Sequence, residues 1–566
     1  MRRFSVLFSA LATLILGLVG GAYLATHHSE PIAAFYNKVA KKTGRLLGME
    51  AEKENTVGYI ESTFLRFATK LYRLPDTNWK KGGGLTVMGD TLLLIIQDGR
   101  IYRFEDGKGL IQTGIEVPDN GFADYVDLVK QPEFSNQVHK PDSMRYNDIL
   151  YVDSDASGFR GLIISYTFFD REKRCHGSRL AKLPFDGIPD LKSFAAAAAD
   201  WDVFFETTPC LPFRLQGTAL EGIQAGGRMA LHPDGRLIFA SGDYAHDGIE
   251  TPDIGLMDPA VLYGKVISIV IPTGEFRVLS VGHRNLQGVT VDTKGEIWTV
   301  EHGVRGGDEL NHIREGLNYG WPKESLGTLY TGQPLPFDGP PGRHDTYTRP
   351  AFAWLPSAAT SALTTIDNFD PTWDGDLLAG ALSSPEYGQS LYHIRTDGDS
   401  VVFVERIELE RRVRYVTQFG KRIALWLDLT DLMILTPVER EDPLGRAIDA
   451  LAEAYDADVV ASTKGLLQAC SECHSFMPAQ SAAGPTLNGV VGRKVAGTAF
   501  EGYSEALSNA GGTWEEDRLK AFVSDPQSIA PGTPMPAIPV QDPRVLDALV
   551  FTLRHADTSA DEHLKY

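Results

Sequence analysis

The chain has 566 residues, with 74 acidic against 54 basic side chains and a net charge of −20. That length exceeds what one hydrophobic core serves and predicts two folded domains with accessory segments. The charge excludes nucleic acid as a partner, since no surplus of Lys and Arg remains to neutralise phosphates, and 56 Gly with 32 Pro favour a turn-rich, mostly β body.

The chain opens with Arg2-Arg3 and an apolar run from Phe4 to Ala25, 22 residues long, where a bilayer takes about 20. A basic start before an apolar centre reads as an export signal. No small-x-small cleavage site follows, so residues 1–26 are expected to stay as a transmembrane signal-anchor. The rest then lies on the periplasmic side of the inner membrane. Cleavage would instead release it into the periplasm.

Residues 27–81 are rich in helix formers, and Phe64, Ala68 and Tyr72 recur at i, i+4, i+8. This predicts a helical stalk. Across residues 82–438 the pattern changes to short apolar runs between Gly/Asp turns, as in "GDTLLLIIQDGRIYRF", "HPDGRLIFASGD" and "GKRIALWLDLTDLMILTP". Such recurrence over some 350 residues predicts radial repetition, a β-propeller, with blades too degenerate to count. Cys175 and Cys210 are the even remainder of four cysteines in an oxidising compartment and are expected to form a disulfide.

One stretch inside this region, "GHRNLQGVTVDTKGEIWTVEHGVRGGDELNHIREGLNYGWP", concentrates His, Arg, Asn, Glu and Asp among glycines. It fits a pocket for an anionic, oxygen-rich ligand, with Arg284 as a fork for carboxylate and Asn285 as a donor. The carbonyls and acids from Gly303 to Asp308 suit a hard cation such as calcium. A turn network that only ties blades together is the competing reading.

Residues 439–462, acidic and Ala-rich without strand signal, are expected to be a helical linker. Residues 463–560 then carry Cys470-Ser-Glu-Cys473-His474. Two thiols spaced by two residues add across the vinyl groups of haem, and the adjacent imidazole reaches the iron. Half a zinc site would need a second ligand pair, and no Cys follows. Met535, between Pro534 and Pro536, is the expected sixth ligand, because Met477 is too near His474 to cross to the other haem face.

This last region resembles the small class I cytochromes c over residues 463–555. "GPTLNGVVGR" matches the family's Gly-Pro-x-Leu-x-Gly loop, which implies that the Pro485 carbonyl orients His474. The resemblance also sets Arg493, Tyr503 and Trp514 around the haem propionates and Met535 in the Pro-Gly-Thr-x-Met loop. An all-α cytochrome c domain holding covalent haem c is therefore implied.

The propeller region resembles the soluble glucose/sorbosone dehydrogenases, six-bladed propellers that oxidise aldose sugars with pyrroloquinoline quinone and calcium. The resemblance implies that Arg284 and Asn285 contact the quinone. It also puts calcium on the Gly303 and Val304 carbonyls and the cofactor carboxylates on Arg412 and Arg414 of "RRVRYV". Three positions depart from the pattern. Gln224 stands where the family has its general base, a histidine, and glutamine takes no proton near neutral pH. Asp243 matches that histidine's acidic partner and is the alternative base, with His246 a second candidate. Ser383 replaces a cofactor-contacting lysine, and Val304 replaces a proline.

The fold expected overall is an all-β six-bladed propeller followed by a small all-α cytochrome c domain. Two functions follow from it. One is a quinohaemoprotein sugar dehydrogenase that passes electrons to its own haem and on to a respiratory-chain acceptor. The other is a catalytically decayed propeller that binds a ligand or partner beside an electron-transfer cytochrome.

Overall fold

A computed structural model describes residues 58–74, 83–134, 143–212, 224–249, 254–336, 342–428, 431–438, 443–477 and 482–557. The chain divides into two compact units, which part between Val438 and Glu439.

The first unit is a six-bladed β-propeller. Apolar residues on alternate or consecutive strand positions, separated by Gly/Asp turns, make six antiparallel sheets. Blade 1 spans residues 83–112, blade 2 146–212, blade 3 226–281, blade 4 285–354 and blade 5 360–408. Blade 6 takes three strands from residues 413–438 and completes itself with Arg66–Arg73, which runs antiparallel to Asp431–Val438. The innermost strands meet in chain order, and the last, Val413–Phe419, closes on the first, Gly83–Met88. Hydrophobic clusters fill the spaces between neighbouring blades: Leu93, Ile149 and Ile164 share one, and Val152, Ile163 and Phe239 share another.

Two expectations are corrected here. Within the predicted helical stalk, the described residues form strands, Gly58–Glu61 and Arg66–Arg73, and Phe67 is fully buried among blades 5 and 6. A spacing of four fits two strand periods as well as one helical turn, and the free edge of Asp431–Val438 decides in favour of the strand. The predicted linker is helical as expected, but it belongs to the second unit. It supplies helix Pro443–Ala454 and the start of helix Ala457–Ser471, and Leu451 and Val459 are core residues of the second unit. The signal-anchor at residues 1–26 lies outside the described residues, among which no helix is long and apolar enough to cross a membrane.

The second unit is helical. Helix Pro543–His555 crosses both Pro443–Ala454 and Ala457–Ser471, burying Val545, Leu549 and Leu553 against Leu467, Phe522 and Trp514. Short helices Glu505–Asn509 and Glu516–Ser524 complete the shell. Cys175 and Cys210 form the expected disulfide, S–S 2.01 Å, which ties two neighbouring strands of blade 2.

Candidate functional site

Innermost propeller strands all begin at one end of the ring, and their second strands end there. Gln224, Asp243, Arg284, Asn285, Gly303, Arg412 and Arg414 are therefore gathered from five parts of the sequence onto one rim. The backbone N–H of Asp243 donates to the Arg284 carbonyl at 2.8 Å, which joins blades 3 and 4 at this rim.

Asp243 is fully buried. Trp321 Nε1 donates to its Oδ2 at 2.8 Å, and the Ala245 N–H donates to its Oδ1 at 2.9 Å. Burial pushes the carboxyl up to about 7, against the pull of Arg284. The next two residues, Tyr244 and Ala245, hold left-handed φ values of 53° and 58°, conformations that non-glycine residues rarely adopt. They carry the chain to His246, also buried, whose N–H donates to the Asp243 carbonyl at 3.0 Å.

Arg284 is anchored by Glu301, which accepts its backbone N–H at 2.6 Å while also bonding His283 Nδ1 at 2.9 Å. The guanidinium lies over the Trp321 ring, 5.3 Å from its centre, and donates through Nη1 to the Gly303 carbonyl at 2.7 Å. Asn285 approaches His302 at 3.4 Å and accepts from Gln287 at 2.6 Å. Val304 forms an isolated bridge with Gly306 in a tight loop. Arg412 and Arg414 both donate to Asp428, at 2.9 Å and 2.8 Å, so one carboxylate aims two forks. Ser383 sits on the loop of blade 5, its N–H bonded to the Ala358 carbonyl.

Buried polar atoms on this rim, Gln224 Oε1 and Arg284 Nε among them, have no partner. Unsatisfied buried groups cost about 1–3 kcal/mol each, so a folded protein keeps such a set where a polar ligand answers it. The donors and forks fit a polycarboxylate cofactor. Calcium fits less directly, because the Gly303 carbonyl already accepts from Arg284. No group of three or more Asp, Glu, His or Cys side chains is placed to hold a metal among the described residues.

Sequence reading missed Trp321, although it lies inside the quoted stretch, and missed Arg228. From blade 3, Arg228 crosses the ring axis to the carbonyls of Gly83, Asn147 and Gln287 at 2.7–3.0 Å and stacks on Tyr415. It caps an axial cavity of about 250 Å³ lined by Thr86, Thr290, Thr364 and Thr417.

In the second unit, helix Ala457–Ser471 carries Cys470 in its last turn, and the next turn returns the His474 N–H to the Cys470 carbonyl at 2.9 Å. Cys470 and Cys473 are both unpaired thiols. His474 Nδ1 lies 2.7 Å from the Pro485 carbonyl. A carbonyl only accepts, so Nδ1 carries the proton and Nε2 keeps its lone pair for a metal. The imidazole lies flat against Gly484, where a Cβ would fall 2.6 Å from the ring. Arg493 donates to the carbonyls of Thr486 and Asn488 at 2.7 and 2.9 Å, bracing the loop that holds His474. Tyr503 bonds Thr498, Trp514 is buried against Phe522, and Met535 is half-buried against the same core. Two thiols, a tautomer-fixed imidazole and a thioether on one core fit covalent haem.

Residues 164–431 match the glucose/sorbosone dehydrogenase family. An uncharacterized protein of Synechocystis is 32% identical over 277 residues, 45% of this chain and 61% of that protein. The chain thus spans less than two thirds of that relative. An aldose sugar dehydrogenase of Escherichia coli is 26% identical over 57% of this chain and 79% of its own length. The last unit is 32% identical to cytochrome c2 of Rhodomicrobium vannielii, covering 18% of this chain and 82% of that cytochrome. Among solved structures, the apo-form of the soluble Escherichia coli aldose sugar dehydrogenase superposes with a TM-score of 0.51. It is 22% identical and covers 65% of this chain and all of that one, a likeness of fold.

Proposed function

Because the chain joins a propeller of the glucose/sorbosone dehydrogenase family to a cytochrome c domain, we propose that it is a quinohaemoprotein-type dehydrogenase. Its substrate is a sugar or alcohol, oxidised at a pyrroloquinoline quinone and calcium site, and its electrons pass to haem c and a downstream acceptor. The observation that carries this reading is Asp243, a buried carboxyl raised to about 7 and pinned by Trp321 beside Arg284. Such a group is poised to take a proton near neutral pH, the task Gln224 cannot perform. The quinone, when bound, supplies the two-electron oxidising chemistry.

The chain's own residues do the rest. Arg412 and Arg414, held by Asp428, and Asn285 orient the cofactor. Arg284 would offer its fork to a cofactor carboxylate, and the Gly303 and Val304 carbonyls would be the ligands for calcium. Asp243 Oδ1 or Oδ2 receives the substrate hydroxyl proton. Cys470 and Cys473 would hold haem by thioether bonds, and His474 and Met535 would ligate its iron. The disulfide supports a place outside the cytoplasm, and we propose N-terminal anchoring on the periplasmic face.

Gln224 and Ser383 favour a second reading, a propeller that binds but no longer turns over. The deciding experiment loads the full chain with pyrroloquinoline quinone and calcium, adds aldoses, and follows the haem α-band. Sugar-dependent reduction supports the dehydrogenase. Cofactor binding without reduction, converted to reduction by Gln224→His, establishes the second reading.

A further inference from the structure

The innermost strands of blades 2 to 6 share a bulge one residue into the strand. Register shifts fall between Tyr146 and Asp148, Gly226 and Arg228, Leu286 and Gly288, Thr360 and Ala362, and Val413 and Tyr415. The extra residues are Asn147, Gly227, Gln287, Ser361 and Arg414. A bulge re-aims side chains and ends regular pairing, and here it recurs at the rim that carries the candidate site.

Two positions before each bulged residue stand Arg145, Ala225, Asn285, Ala359 and Arg412. Arg145 therefore holds in blade 2 the place that Asn285 holds in blade 4 and Arg412 in blade 6. Both of those are proposed above to touch the cofactor. Arg145 is buried, 7% exposed, and its Nε donates to Asn147 Oδ1 at 2.9 Å. The guanidiniums facing it are Arg414 and Arg228, with the phenols of Tyr415 and Tyr244 beside them. Three cations converging in a buried region repel one another, and an incoming anion relieves that repulsion. Among the described residues, Asp148 lies 3.8 Å from Arg228 and Asp428 pairs with Arg414.

The site has also lost a cation, since Ser383 stands where the resemblance expects a lysine. We infer that Arg145 is a cofactor-binding residue, its guanidinium taking a cofactor carboxylate alongside Arg414 and replacing from blade 2 the charge missing from blade 5. This assignment rests on the proposed function above. It adds a contact that Arg145's own sequence surroundings, "SMRYND", do not signal.

The test measures pyrroloquinoline quinone binding to the full, haem-loaded chain by calorimetry, with calcium present and no substrate. Arg145→Met should weaken binding roughly tenfold or more, the usual effect of deleting one charge-assisted bond. Arg145→Lys, which keeps the charge with little change in volume, should weaken it less. Adding Ser383→Lys to Arg145→Met should restore most of the loss. Circular dichroism melts serve as the folding control, and the Arg145→Lys comparison stands if the Met variant does not fold. If wild type binds and both Arg145 variants bind within about twofold of it, this inference fails while the proposed function stands. If wild type does not bind at all, the proposed function fails and this inference with it.

Discussion

Asp243 has a raised carboxyl with two measurable consequences. Its folded-state value of about 7 lies above the unfolded value near 4, so the native chain holds a proton that the unfolded chain has released between those limits. Its contribution to stability is complete below pH 4 and falls as pH rises through 7, by up to about 4 kcal/mol. Asp243→Asn cannot ionise, yet still accepts from Trp321. It should therefore melt higher than wild type at pH 8, with a smaller difference or none at pH 5. The same substitution should abolish sugar-dependent haem reduction while leaving cofactor affinity nearly unchanged. Equal melting differences at both pH values would show that Asp243 is ionised throughout. In the second unit, Gly484→Ala would set a methyl 2.6 Å from the His474 ring. The imidazole must turn, its bond to Pro485 lengthens, and the haem potential or α-band should shift although both cysteines remain. How much of this was legible varies by residue. The proposed haem ligands lie in short contiguous motifs, and Arg284 and Asn285 stand in a dense polar stretch. Arg145 and Arg228 gave no such signal, because only ring closure brings their strands together.

At the level of strands, sequence patterning gave β-structure wherever apolar runs alternate with Gly/Asp turns, and it failed at the closing strand. Phe64, Ala68 and Tyr72 fit both a helix and a strand, and the partner that decides between them lies more than 350 residues away in sequence. Local periodicity carries no information about such a pairing. The consequence is a prediction about closure. Ala68 pairs with Thr436 on one side and Tyr59 on the other, so the strand is internal and a proline there loses a ladder bond and clashes. Ala68→Pro should cost about 3 kcal/mol or more and lower the propeller's melting temperature, leaving the haem spectrum unchanged. An unaltered melt would mean that the ring is held closed without that strand. The helix expected at residues 439–462 is present, but its place in the second unit was hidden for a similar reason: Leu444, Ile448, Leu451 and Tyr455 form an apolar stripe whose partners, in helix Pro543–His555, come about a hundred residues later.

For the whole molecule, the proposal requires electrons to leave the propeller and to reach iron in a separate folded unit. The two units part at Val438, and each has its own hydrophobic core, so each should fold when the chain is cut there. A tether of a few residues holds partners at an effective concentration on the order of millimolar. With the intact chain, haem reduction after adding sugar should be first-order and independent of protein concentration. With residues 58–438 and 439–566 supplied as separate chains at micromolar concentration, the same step becomes bimolecular. Its rate should then fall by roughly a hundredfold or more and rise linearly with either unit. The isolated propeller, loaded with cofactor and calcium, should still reduce a small diffusible dye at the intact chain's rate, because the cut touches neither Asp243 nor the arginines. A cut chain that reduced its haem as fast as the intact one would show that the units recognise each other strongly without the tether. An intact chain that reduced the dye but never the haem would make the cytochrome unit a separate carrier and remove intramolecular transfer from the mechanism.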